Sequence, residues 1–379
     1  MTELVTLNVS AAVRDRYSEA AQERTADLCC AVNYDEKYLA AIPREVLERD
    51  YGCGDPSKYV RPGEVVLDLG AGGGKICFIT AQVVGPTGRV IGVDCNDEML
   101  ALARRSQSEV ARRIGYSNVE FRKGQIQDLK LDLDLLEAHL AKHSVSSSSD
   151  WLRVLEQTRE IRRASPMIAD ESVDVVVSNC VLNLVHSDER RQLFREIHRV
   201  LKPGGRAVIS DIVADRDVPT VLQNDPVLWS GCLSGAFRED LFLSAFEDSG
   251  FRGLEVLERQ HQPWRVVEGI EFRSVTARAH KLPVASSECP DAATVMYRGP
   301  WKSVQDDAGR SFLRGARTDV DESTARTLQA APYAGQFLPL DDSNAAVATN
   351  PTSSSCCLPV VDSLNGSAES GACGTGRCC

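Results

Sequence analysis

The run Val66-Leu67-Asp68-Leu69 enters a turn built from Gly70, Ala71, Gly72, Gly73 and Gly74, and a second apolar run from Arg89 ends on Asp94. A run too short for a helix, a glycine-dense turn, a helical stretch and another short run together make a βαβ unit. Glycines at 70, 72 and 74 remove the β-carbons that would hold a ligand away from the backbone, and the following helix offers unpaired N–H groups there. Asp94, about 20 residues on at the carboxyl end of the second strand, is placed to accept hydrogen bonds from ribose hydroxyls. Alone, the turn also fits an ordinary strand-to-helix connection. With the strand before it and the acid after it, it reads as a nucleoside-binding crevice.

A dinucleotide fingerprint requires glycine or alanine where this chain has Lys75. S-adenosylmethionine (SAM) fits better: its methionine end has an ammonium for Asp68 to attract, and there is no pyrophosphate to house. The helix Asp97 to Arg112 carries Met99 toward the sheet, and a third strand over 118–122 leads to Gly124-Gln125-Ile126-Gln127-Asp128. There a backbone N–H and a side-chain amide can read an adenine edge, although Gln127 by itself also reads as a solvated loop residue.

A chain of 379 residues suggests two domains, or one large domain with appendages. Lys and Arg number 43 against 54 Asp and Glu, a formal charge of −11 that makes nucleic acid a poor partner. No apolar run reaches the roughly 18 residues of a membrane span, and Met1-Thr2-Glu3-Leu4-Val5 lacks the features of a signal peptide, so the expected location is cytoplasmic. In that reducing compartment the 13 cysteines need an explanation other than a disulfide scaffold, and no Cys-x-x-Cys occurs.

Residues 1–60 read as N-terminal helices, Ala11 to Asp27 and Pro43 to Arg49, followed by the turn-rich loop Asp50-Tyr51-Gly52-Cys53-Gly54-Asp55-Pro56 folded over the crevice mouth. Cys29 and Cys30 fit small buried residues and functional thiols equally. Cys53, between two glycines, is harder to explain as packing. Residues 61–281 form the main domain, interrupted at 130–170 by an insertion of two amphipathic helices, separated by a flexible Ser146–Ser149 break, that caps one side without chemistry. A fourth strand, Val173 to Ser178, ends in Asn179-Cys180, and parallel strands share one carboxyl edge, so Cys180 is expected at the cofactor. The helix Glu189 to Val200 is expected to stop at Lys202-Pro203-Gly204-Gly205 with a left-handed glycine cap. Strand five, Arg206 to Asp211, then a loop holding Cys232, a helix from Arg238 to Ser249 and strands near 251–257 and 272–279 complete a seven-stranded, doubly wound, Rossmann-like sheet. Residues 282–340 suggest a small β-rich module with strands near 312–313 and 318–320. The Ser, Thr and Asn-rich tail 341–379 is expected to be disordered, yet it contains Cys356, Cys357, Cys373, Cys378 and Cys379.

Tyr-Gly-Cys-Gly at 51–54, Asp-Leu-Gly-x-Gly at 68–72, Ile-Gly-Val-Asp at 91–94, Ser-Asn-Cys-Val-x-Asn-Leu at 178–184 and Cys-Leu-x-Gly-Ala at 232–236 resemble the arsenite SAM methyltransferases over about residues 10–280. The SAM blocks are shared by many methyltransferases, and the cysteines carry the specificity. The resemblance implies a class I SAM-dependent methyltransferase fold, with Cys180 and Cys232 binding trivalent arsenic, Cys53 as third thiol, and Cys30 or its neighbour Cys29 exchanging with it. It also implies SAM contacts at Tyr51, Asp94, Ile126, Gln127 and Asn179. Gln127 stands where relatives often have Glu, and the 130–170 insertion lies outside the shared pattern.

The residue types suit that chemistry. Trivalent arsenic is soft and thiophilic, so thiolates are the ligands to expect. Its lone pair is the nucleophile toward the sulfonium methyl, so alignment rather than a general base does most of the work. His186, just past the Cys180 loop, reads as a solvated residue ahead of a helix or as a base for oxygen methylation. Methylation formally oxidises arsenic, and a thiol pair, Cys30 with Cys53, can return it to the trivalent state by forming a disulfide that an external thiol such as glutathione or thioredoxin reduces. The tail cysteines fit either a mobile arsenic trap or a dispensable solvated tail. Two other readings stay open here: a carbon or oxygen methyltransferase acting on a small organic molecule, and a non-catalytic thiolate binder of arsenic.

Overall fold

A computed structural model describes residues 8–23, 32–282 and 292–340. Cys29, Cys30 and the cysteine-containing tail lie outside these residues. The main sheet consists of β1 (Val65–Leu69), β2 (Arg89–Asp94), β3 (Val119–Lys123), β4 (Val173–Asn179), β5 (Leu201–Ala214), β6 (Phe237–Arg238), β7 (Arg252–Arg259), β8 (Arg265–Val267) and β9 (Ile270–His280). Its order is β3-β2-β1-β4-β5-β9-β7, parallel through β5, with β9 antiparallel to β5 and to β7. The seven expected strands are this path. Two further pieces, β6 against β5 and β8 against β9, are only two and three residues long, too short to show a periodicity in sequence.

Alternation along the strands sends side chains to two helical layers. Val66 and Val90 pack with Phe78, Ile79, Leu100 and Leu102 on one face. Leu67, Leu69 and Val93 pack with Phe194, Ile197, Phe242 and Phe246 on the other. The chain order reverses between β1 and β4, so a crevice opens at their carboxyl ends. Register sets what meets there: Leu69 pairs with both Val93 and Ser178, which levels Gly70 with Asp94 and Asn179, and Asn179 pairs with Ser210, which levels Cys180 with Asp211.

Local signals failed in two places. The helix Ser187–Val200 ends directly in an extended Leu201 without a glycine cap. Residues 202–205 belong to β5 because Gly204 N–H donates to the Lys281 carbonyl at 2.7 Å and Lys281 N–H to that of Gly205 at 2.9 Å, drawing them into the sheet. Ser146–Ser149 is not a flexible break: Ser147 Oγ accepts the Asp150 N–H at 3.1 Å and caps the helix Ser148–Ala164, which packs beside the helix Leu133–Leu140. The N-terminal helix is shorter than expected, Val9–Ala20.

The C-terminal module holds β10 (Ala292–Tyr297), β11 (Ser303–Gln305), β12 (Ser311–Leu313), β13 (Arg317–Asp321) and β14 (Phe337–Leu340), with an unforeseen helix Glu322–Gln329. Order β13-β10-β14 and a core of Val295, Tyr297, Phe312, Val320, Leu328 and Phe337 make it a separate packing unit. Among the described residues, no helix is long and apolar enough to cross a membrane.

Candidate active site

One cleft at the switch point is lined by Tyr51, Asp68, Gly70, Gly72, Asp94, Met99, Ile126, Gln127, Asn179 and Cys180. Gly72 has φ +52°, and a β-carbon there would touch nothing within 4 Å, so the turn leaves backbone open to a ligand. Its N–H donates to Asp94 Oδ2 at 2.8 Å, and Asn96 N–H donates to Oδ1 at 2.9 Å. These bonds orient the carboxylate and leave lone pairs for hydroxyl donors. Burial raises the Asp94 pKa, opposed by those amides. Asp68 is buried, and burial pushes its pKa up to about 7, against a lowering hydrogen bond from the Cys77 thiol at 3.1 Å. An ammonium would relieve that cost. A cradle without β-carbon, an oriented acid and a buried acid with no ion-pair partner among the described residues together fit SAM.

Gly74 was expected in that cradle and is not. It is left-handed, φ +90°, and a β-carbon there would meet Phe121 at 2.8 Å and Phe78 at 3.0 Å, so glycine serves helix packing. Gln127 donates its amide to Glu189 at 3.0 Å. Tyr51 and Met99 pack with Ala20, Ala21 and Tyr17, and the Tyr51 hydroxyl donates to the Ala20 carbonyl at 2.9 Å.

Behind the cleft, Cys53, Cys180 and Cys232 are buried together with Ile212, Leu233 and Phe272, walls that exclude water. The neighbouring thiols of Cys232 and Cys53, together with burial, raise the Cys180 pKa well above the ordinary thiol value. Burial raises the Cys53 pKa as well. Asn179 latches the thiol loop: its Oδ1 accepts the N–H groups of Cys53 at 2.9 Å and Gly54 at 3.0 Å, and its Nδ2 donates to the Gly54 carbonyl at 2.8 Å. A β-carbon at Gly52 would lie 2.1 Å from that amide, which is why the loop needs glycine there.

Comparison with known proteins bears on this arrangement. Residues 61–164 and 157–250 match the methyltransferase domain family, and 285–362 match a domain of unknown function. The arsenite methyltransferase of Aquipseudomonas alcaligenes is 35% identical over 270 residues, covering 69% of this chain and 67% of that protein. That of Mus musculus is 30% identical over 326 residues, covering 82% and 76%. The chain belongs to the arsenite methyltransferase family. The crystal structure of an arsenic(III) S-adenosylmethionine methyltransferase from Chlamydomonas reinhardtii matches with TM-score 0.55 at 28% identity, covering 81% of this chain and 95% of that one. The fold is therefore that of a class I SAM-dependent methyltransferase.

Several residues of this methyltransferase escaped the sequence reading. Asp211, read only as the end of a strand, is fully buried beside the thiols, and burial pushes its pKa up to about 7 against three amide donors. Its place at the same sheet edge as Asn179 was the available signal. Arg190 donates to the carbonyls of Asn183, Val185 and Gly235 at 2.6–3.2 Å, tying the Cys180 loop to the Cys232 loop. Tyr17 lies near the Cys232 and Cys180 thiols, and burial raises its pKa, with those thiols adding to the rise. No short-range pattern marks Arg190 or Tyr17. His186 accepts the Asp188 N–H at 3.3 Å through Nδ1 as a helix cap, which occupies the nitrogen a base would need.

Proposed function

We propose that this chain transfers a methyl group from SAM to trivalent arsenic held by the thiolates of Cys53, Cys180 and Cys232. The observation that carries the reading is the convergence of three thiols from separate segments beside the cofactor cleft. When bound, SAM supplies an electrophilic sulfonium methyl, and the lone pair of the thiolate-held arsenic is the nucleophile aligned with it.

Asp68 would hold the methionine ammonium, Asp94 the ribose, Ile126 and Gln127 the adenine edge, while Met99, Tyr51 and Gly72 shape the walls. Asn179 keeps Cys53 within reach of Cys180, and the apolar surround keeps water from competing with the thiolates. No residue has to act as base, because arsenic gives up a lone pair and no proton leaves it.

Each transfer leaves arsenic oxidised by two electrons. Cys30 returns those electrons by attacking the sulfur of Cys53: the As–S bond breaks with its electron pair left on arsenic, the Cys30 proton passes to solvent, and an external thiol of the glutathione or thioredoxin class reduces the resulting disulfide in the cytoplasm. In this reading residues 1–60 provide two thiols and a cover, 61–281 the transferase, 282–340 an accessory unit and 341–379 an arsenic-collecting tail. Incubation with labelled SAM, arsenite and a thiol should yield methylated arsenic. Arsenic binding without transfer, or transfer only to organic acceptors, would sink the proposal.

A further inference from the structure

We propose that Cys53, Cys180 and Asp211 form a binding site for a d10 divalent cation, zinc foremost, which shares two thiols with arsenic but is selected by a carboxylate that arsenic does not need. The ligating atoms of these three buried residues all lie within 4.8 Å of one another. Tetrahedral zinc, with Zn–S of about 2.3 Å and Zn–O of about 2.1 Å, separates its ligand atoms by about 3.6–3.8 Å, so about 1 Å of side-chain movement closes the site.

Asp211 is built for such a role. Its Oδ1 accepts Asn183 Nδ2 and Ile212 N–H, both at 2.8 Å, while among the described residues Oδ2 accepts only the Leu182 N–H at 2.9 Å. A carboxylate oxygen can accept two bonds, so Oδ2 keeps a free lone pair, and the three donors fix its direction as outer-shell partners do in metal centres. Among the described residues, no cation bonds it: Arg190 acts on it only at a distance and spends its donors on backbone carbonyls. A fully buried, unpaired carboxylate is costly, and transfer by an arsenic lone pair has no use for it.

Donor chemistry narrows the ligand. Two thiolates with one carboxylate suit a borderline-soft divalent ion, whereas magnesium or calcium demand more oxygen. Trivalent arsenic is satisfied by three thiolates and turns its lone pair to the remaining direction. Zinc has no such lone pair and takes the carboxylate. Binding releases the two thiol protons to buffer and changes no oxidation state. Zinc and arsenite then exclude each other, and zinc holds the enzyme in a reversible, inactive form. The inference rests on the arsenic reading only for that competition.

The test titrates Zn2+ into the reduced full chain against a chromophoric chelator. The chain has 13 cysteines in all, so the readout is the difference between variants. Asp211→Asn and Cys53→Ser should each weaken one equivalent by about tenfold or more, arsenite affinity should be unchanged in Asp211→Asn, and arsenite should displace one equivalent from the wild type. An equal zinc count in wild type and Asp211→Asn, or equal losses of zinc and arsenite in that variant, would overturn the proposal. Should Asp211→Asn not fold, as judged by SAM binding, an undiminished count in Cys53→Ser together with no displacement by arsenite overturns it instead. If Cys180→Ser still binds arsenite while the zinc equivalent is lost, the arsenic reading falls and this one stands.

Discussion

The thiol of Cys232 donates to the carbonyl oxygen of Cys180 at 3.2 Å, and both residues have left-handed backbone, φ 60° and 66°. Such conformations cost on the order of 1–3 kcal/mol each in non-glycine residues and persist only where surroundings impose them. Here Cys180 N–H donates to the Ser210 carbonyl at 2.8 Å and Cys232 N–H to that of Trp229 at 3.0 Å. These bonds hold the two residues, 52 positions apart, in one buried cluster with Cys53.

Replacing either sulfur by oxygen keeps the backbone and removes the soft donor. Cys180→Ser and Cys232→Ser should each abolish arsenite binding and leave SAM affinity intact. Arsenite affinity retained in either variant counts against the proposed ligands.

Asp68 makes the ligand-free protein sensitive to pH. Its carboxyl has a folded pKa of about 7, above the unfolded value near 3.9, so the neutral form is favoured by folding. That stability is complete below about pH 4 and is lost as pH rises through about 7, and Asp211, also at about 7, acts in the same sense. Thermal midpoints of ligand-free Asp68→Asn should exceed those of wild type at pH 8 and converge with them near pH 4. SAM affinity should rise from pH 6 to 8 in wild type and be weaker and flat in the variant. Parallel pH profiles would remove Asp68 from the ammonium site.

Asn179 holds the backbone of Cys53 and Gly54, so in the proposed reading its effect on arsenic runs through Cys53. Loss of its bonds, each about 1 kcal/mol, releases the loop, so Asn179→Ala should weaken arsenite binding about as much as Cys53→Ser does. The double variant should be no worse than Cys53→Ser alone. Fully additive losses would mean that Asn179 works on the site by another route.

The helix Val9–Ala20 roofs both halves of the site. Arg16 donates to the Val227 carbonyl at 2.6 Å and to Ser230 Oγ at 3.0 Å on the thiol side, while Asn96 Nδ2 donates to the Arg14 carbonyl at 3.2 Å on the cofactor side. Arg16→Ala should speed alkylation of Cys232 about tenfold, the equivalent of 1.4 kcal/mol. Mass spectrometry of the labelled peptide reads this directly, and an unchanged rate would show that the roof does not depend on Arg16.

Truncation after Leu340 addresses the tail. The variant should keep its maximal turnover but need more arsenite to reach half of it, because the five tail thiols no longer raise the local concentration. Unchanged arsenite dependence disposes of the trap.

How much of this was legible follows from the range of each interaction. The crevice could be read because glycine spacing, short apolar runs and the acid at Asp94 are local properties, and because parallel strands deliver their ends to one edge whatever the loops do. That rule also brought Cys180 to the lining of the cleft. Local pattern misled at Gly74, whose absent β-carbon makes room for Phe78 and Phe121, and at the expected cap at Gly204, where pairing with Lys281 outweighed a local turn preference.

The amino-acid order alone therefore determined the layering, the switch point and the chemical character of the ligands, since period and composition act over a few residues. Only the folded chain decided that Asp211 stands level with Cys180, that Tyr17 closes over Cys232 and that Arg190 binds two thiol loops together. Those neighbours are separated by many residues in the chain, and their meeting depends on sheet register and loop packing, to which no local pattern is sensitive.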